Sequence, residues 1–134
     1  MVFTFALSFL LLNILDYGYL LLNKAKISSY ITNIQLEPIQ FKYSYLFASY
    51  VLISYAIALF TIPKIRDDHI LKDSIYYGLS LGIVIFGVSN LHNLALFKKQ
   101  DKYLIYSDIM LRTISICITL YITKRTTLFF KHII

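Results

Sequence analysis

The sequence predicts an all-α polytopic membrane protein, an antiparallel four-helix transmembrane bundle formed by a single domain of 134 residues. Three observations carry this expectation. The chain is 58% hydrophobic and only 15% charged, with a mean hydropathy of +0.68. A soluble domain of this size buries only about 65% of its surface and normally carries about 25% charged residues, so this much apolar surface has to face a bilayer. Four long runs nearly free of acids and bases follow one another along the chain, each close to the about 20 residues that cross a hydrocarbon core of about 30 Å. The segments between them are short and polar, which forces neighbouring helices into an up, down, up, down order.

The first run, residues 2–23, is broken only by Asp16. No Lys or Arg precedes its apolar stretch and no small-residue cleavage site follows it, so it reads as a span and not as a signal peptide. The second, 43–63, lies between Lys42 and Lys64 and contains no acid or base. In the third, 74–97, His92 is the sole titratable group apart from tyrosines. The fourth, 103–123, lies between Lys102 and Lys124 and carries Asp108 and Arg112. Residues 124–134 remain as a short tail, with Leu128, Phe129, Phe130, Ile133 and Ile134 around Lys131 and His132; it reads equally as an interfacial amphipathic piece or as a frayed end. Tyr19, Tyr43, Tyr45, Tyr76, Tyr77, Tyr103, Tyr106 and Tyr121 cluster near the span ends, where an aromatic ring sits at the headgroup level.

The rival spanning structure, a β-barrel, needs alternating segments of about 10 residues, whereas these runs are twice as long and do not alternate. Four Gly and two Pro exclude a collagen-like or low-complexity chain, and one Cys excludes a disulfide scaffold or a thiolate zinc site. The net charge of +6 does not point to nucleic acid, because the basic residues bracket spans and form no stripe. Lys24, Lys26, Lys42, Lys98, Lys99 and Lys102 flank the first and third loops, against Lys64, Arg66, Lys72, Lys124, Arg125 and Lys131 on the other side. That six-to-six tie gives no orientation by the positive-inside rule; N-in and C-in is the common outcome for an even number of spans.

Charged side chains at mid-span cost about 2.5–3.5 kcal/mol each on insertion and so face a bundle interior. Three occur: Asp16, Asp108 and Arg112. Asp108 and Arg112 are four apart on one helix, a spacing at which an acid pairs with a following base, and Ser115 and Thr119 continue their face. Counting 1.5 Å per residue from the ends that share a membrane side puts Asp16 and Asn90 each about 10 Å deep. Tyr50, with Ser49 beside it, stands at a similar level; Asn93 is nearer the surface and Arg112 deeper. The candidate buried polar cluster or ligand site is therefore Asp16, Tyr50, Asn90, Asn93, Asp108 and Arg112. Gly78 and Gly82, with Ser89 one heptad on, form a small-residue face that suits close helix packing within the bundle or a homo-oligomer. Cys117 reads as uncharged core lining.

These residues carry a family resemblance. Leu-Asp-Tyr-Gly-Tyr-Leu at Leu15 to Leu20, the stretch from Tyr50 to Pro63 with Tyr55 and Phe60 inside it, Ser-Asn-Leu-His-Asn-Leu-Ala at Ser89 to Ala95 and Ser-Asp-Ile at Ser107 to Ile109 resemble domain of unknown function 2177, a family of four-span membrane proteins with no established activity. The resemblance implies that Asp16 and Asp108 are the family's acids in the first and fourth helices, and that Asn93 is the Asn of its Asp-Leu-Thr-Asn motif in the third. Asn90 and His92 replace that motif's Asp and Thr, Tyr19 and Leu111 stand where the family has Trp, and Arg112 replaces a usual Gly. One acid lost and one base gained make this site less negative than the family's.

Three functional readings stay open at this level. The polar cluster is a structural network; or it binds or translocates an ion, proton or small polar solute, with Asp16 as the carrier and Arg112 as the counter-ion of Asp108; or the chain is a scaffold or virion membrane component whose loops bind a protein partner. An enzyme is not expected, since no spacing around Asp16, His92 or Asp108 matches established catalytic or metal-ligating patterns, and no cofactor or metal is called for. Ile outnumbers Ala by 21 to 6 and Lys outnumbers Arg by 10 to 3, as AT-rich coding produces, which fits a large DNA virus or an AT-rich bacterium.

Overall fold

A computed structural model describes residues 1–35, 43–96 and 102–133, and every regular element among them is helical. α1 is Val2–Gln35, α2 is Tyr43–Ala56, α3 is Ile70–Gly82, α4 is Val88–Leu96 and α5 is Lys102–Ile133. A π-helical turn, Ile57–Thr61, and a 3-10 turn, Ile62–Lys64, prolong α2, while a second π turn, Ile83–Gly87, joins α3 to α4. Four helices are long and apolar enough to cross a membrane: Val2–Ser29, Phe47–Lys64, Ile70–His92 and Lys102–Lys131.

Two helices overrun the expected spans. α1 continues past residue 23 through Lys24 and Lys26, and α5 continues past residue 123 through Lys124, Arg125 and the expected tail. Lysine ends an apolar run, but it is a good helix former, so the charge does not set where the helix stops. Residues 124–133 are the last turns of α5 and not a separate element.

Both π turns have local causes or consequences. In the second span the Ile62 N–H bonds to the Ile57 carbonyl, five residues back, just before Pro63, whose ring would collide with the carbonyl four back in a regular helix. In the third span the widened turn adds a residue to the repeat, so whatever follows is rotated relative to an unbroken helix. Ser89, expected on the Gly78 and Gly82 face, is exposed, and Asn90 takes the inward position. The small-residue seam is instead Ser74, Gly78 and Gly82, four apart and all buried.

That seam packs against α5. A Cβ on Gly78 would lie 2.8 Å from the Cys117 Cα, and one on Gly82 would lie 2.8 Å from the Thr113 Cα. Lipid offers no hydrophobic drive between helices, so close backbone approach is the attraction available. The face a Gly78 and Gly82 dimer would use is covered within the chain. Around the outside, Leu22 (89% exposed), Leu52 (68%), Phe60 (60%) and Val88 (63%) point away from the bundle; such an apolar exterior suits lipid, since soluble monomers rarely expose contiguous apolar patches beyond a few hundred Å². Leu12, Ile57, Ile116 and Leu120 are fully or almost fully buried in the centre.

Register follows from named pairs. Phe3 meets Phe130, the Ser8 and Thr123 hydroxyls are 3.3 Å apart, and Asp16 faces Arg112; Gly78 meets Cys117, Gly82 meets Thr113 and Asn90 meets Asp108. Sequence position therefore falls along α5 as it rises along α1 and the third span. At the second loop, Asp73 in the first turn of α3 accepts the Arg66 backbone N–H at 3.0 Å and holds the guanidinium in a fork through Nε at 2.9 Å and Nη2 at 3.0 Å. The hydrogen bonds to Asp73 raise the Arg66 pKa above its ordinary value. Lys124 Nζ, 2.7 Å from Asp67 Oδ1, ties the same loop to α5.

Candidate functional site

Five of the six cluster residues come together from all four spans. Asp16 on α1 is 2% exposed, and its Oδ2 accepts the Tyr50 hydroxyl of α2 at 2.6 Å. Arg112 on α5 lies between the two acids: Nη1 is 3.7 Å from Asp16 Oδ2, and Nε donates to Asp108 Oδ1 at 2.9 Å. Asn90 Nδ2 on α4 donates to the other oxygen of Asp108 at 3.1 Å and to the Phe86 carbonyl at 2.9 Å. The expected (i, i+4) pair of Asp108 and Arg112 thus forms, and the guanidinium also reaches a second helix. The Asn93 side chain lies outside the described residues.

Two aromatic residues complete the enclosure, and the sequence reading had not placed them there. The Arg112 Cζ is 5.8 Å from the Tyr19 ring centre and 5.4 Å from that of Phe86, a distance at which the electron-rich face of a ring attracts a cation. Tyr19 was expected at the headgroup level; it is buried, because a position three after Asp16 returns to the same helix face. The available signal was its occupation of a position at which the family carries Trp. Of the other tyrosines named above, Tyr45, Tyr76, Tyr103 and Tyr106 are exposed and Tyr77 and Tyr121 half-buried. Thr119 faces inward below Arg112 as expected, while Ser115 is half-buried and bonds to the Leu111 carbonyl. His92 is exposed, apart from the cluster. Cys117 is half-buried over Gly78, with its Sγ 3.9 Å from the Ile75 carbonyl.

With both acids ionised, two carboxylates and one guanidinium leave the cluster one net negative charge. The arrangement can hold one proton or one small cation, and the position between the acids is taken by the protein's own cation. Among the described residues no three His, Cys, Asp or Glu side chains are grouped as a metal site.

The family model described as predicted membrane protein (DUF2177) matches residues 1–123. The chain belongs to this family. The match covers the first three spans, most of the fourth and every residue of the cluster, and the DUF2177 description agrees with a small integral membrane protein of unknown activity that crosses the bilayer several times. Comparison with curated proteins and with solved structures gives no match.

Proposed function

We propose that the cluster is a structural lock that sets the register of an up, down, up, down bundle, with a structural and not an enzymatic role for the buried charges. One observation carries this reading: Arg112 contacts Asp16 and Asp108 together, while Tyr50 and Asn90 attach the second and third spans to the same two carboxylates. Each buried charge has a partner, and a charge in hydrocarbon is tolerated only on that condition. Intramembrane hydrogen bonds contribute only about 0.6 kcal/mol on average, so the value of such a lock is specificity of register more than bulk stability. This reading takes both termini to the cytoplasmic side, as an even number of spans commonly gives.

Replacing Asp16→Asn in the full chain tests the lock. Lower folded yield and a lower thermal midpoint in detergent are expected; an unchanged midpoint and yield would overturn the reading. A reporter fused after Ile134 tests the orientation, and an exoplasmic signal would overturn it.

A further inference from the structure

The bundle interior holds more hydroxyls than the lock uses, and they are arranged in rows. On α1, Ser8 (0% exposed) and Thr4 (7%) lie eight and twelve residues before Asp16. On the second span, Ser54 (0%) and Thr61 (8%) lie four and eleven after Tyr50. On α5, Thr119 and Thr123 (both 0%) lie seven and eleven after Arg112. At 100° per residue, Ser54 returns to within about 40° of Tyr50, and Thr119 and Thr123 to within about 20° of Arg112; Ser8, Thr4 and Thr61 are placed inward by their burial. At 1.5 Å per residue, each counted along its own helix, Ser54 stands about 6 Å beyond Tyr50, Thr119 and Thr123 about 10 and 16 Å beyond Arg112, and Ser8 and Thr4 about 12 and 18 Å before Asp16. Steps of about 6 Å along an axis exceed the about 2.8 Å of one hydrogen bond, so water is needed to link successive hydroxyls.

Ser8 and Thr123 pair directly. The Ser54 and Thr119 hydroxyls, fully buried, meet no protein partner among the described residues, not even the carbonyl four residues back that such side chains usually use. Buried hydroxyls of this kind are ordinarily satisfied by internal water. Thr113 and Ser74 share the condition but lie on the α3 and α5 seam, outside the rows. At its far end the column meets a cleft of about 400 Å³ beside the second loop, in which Thr4, Asp67, Lys124, Thr127 and Lys131 stand among apolar residues that make up the larger part of its lining. At its near end the Asp108 and Arg112 side chains are about one-fifth exposed.

We propose that these hydroxyls and the internal water they hold form a proton path between the second-loop cleft and Asp16. A proton enters on water in the cleft. At each oxygen a new O–H bond forms on the cleft side as the O–H on the far side breaks and passes its proton on, until the last forms on the Asp16 carboxylate. The proton leaves past Asp108 toward the first and third loops, and no electron is transferred. Asp16 faces Tyr50 from α2, Arg112 and Asp108 from α5, Tyr19 on its own helix, and Asn90 and Phe86 of the third span behind Asp108 and Arg112. One proton brings the cluster from one net negative charge to neutrality. Leu12, Ile57 and Ile116, buried at the intermediate levels, narrow the path and exclude hydrated ions.

Full-length protein in liposomes containing a pH-sensitive dye, with inward proton flow driven by a potassium diffusion potential, tests the proposal. Acidification faster than in protein-free vesicles is expected, with loss of most of the excess in Thr119→Val and in Ser54→Ala, two variants so that misfolding of one leaves the other to decide. Ser80→Ala, on an exposed hydroxyl of α3, should conduct like the wild type. Wild-type flux no faster than protein-free vesicles, undiminished flux in a folded Thr119→Val or Ser54→Ala protein, or passage of sodium in place of protons would overturn it. The structural lock is read separately, by thermal midpoint, and survives a negative flux result.

Discussion

Arg112 Nη1 on α5 lies 3.7 Å from Asp16 Oδ2 on α1. Because the same guanidinium donates to Asp108 at 2.9 Å, its removal leaves the buried Asp16 carboxylate and the partly buried Asp108 carboxylate without a cation between them. Breaking a buried pair by deleting one partner costs about 3–5 kcal/mol. Arg112→Leu should therefore lower the thermal midpoint in detergent more than any other single change in the cluster. Arg112→Lys should recover only part of the loss, since a compact ammonium cannot fork between two acids; full recovery would show that the planar geometry is immaterial.

Tyr50→Phe keeps the ring and removes the hydroxyl that Asp16 accepts at 2.6 Å. The expected loss is about 1 kcal/mol, between the intramembrane average and the value for a bond to a charged group. Chemical unfolding of the two proteins in the same detergent measures it, and the loss should stay well below that of Arg112→Leu.

The glycines divide by what their added Cβ would meet. Gly78→Ala puts a carbon 2.5 Å from the Cys117 Sγ and 2.8 Å from its Cα, which forces the third span away from α5 and costs about 1–3 kcal/mol. Gly18→Ala meets nothing within 4 Å and should stabilise α1 by about 0.5–1 kcal/mol. Opposite shifts in thermal midpoint are expected from the same substitution at the two sites.

Asp73→Ala removes all three hydrogen bonds that hold Arg66. Trypsin should then cut after Arg66 faster in the native protein, while the bundle's midpoint changes little, because Lys124 still anchors the loop through Asp67. Equal cleavage rates would mean that the fork does not order the loop.

The spans and most of the cluster were legible because they rest on large free energies. A charge in hydrocarbon is costly enough that Asp16, Asp108 and Arg112 had to converge, and run length marked the four crossings. Smaller terms were not legible. The π turn at Ile83–Gly87 rotates the third span so that Ser89 leaves the packed face while Asn90 reaches Asp108; nothing in an apolar run announces an added residue in a turn. Tyr19 resembled an interfacial tyrosine until its offset from Asp16 was joined to the position of Arg112. Thr119 was legible as part of an inward face, but Ser54 and the unpartnered state of both hydroxyls were not, because a hydroxyl barely changes hydropathy and its significance depends on whether a partner is near. The overruns of α1 and α5 follow from the helix-forming tendency of lysine, which hydropathy does not report.

The link between first and last spans is tested most directly by a double-mutant cycle on Asp16→Asn and Arg112→Gln, read as unfolding free energy in one detergent. If the two side chains act on each other, the double variant is less destabilised than the sum of the singles by about 1 kcal/mol or more, as residues in one ion-pair network show. Strict additivity within about 0.3–0.5 kcal/mol would contradict the lock.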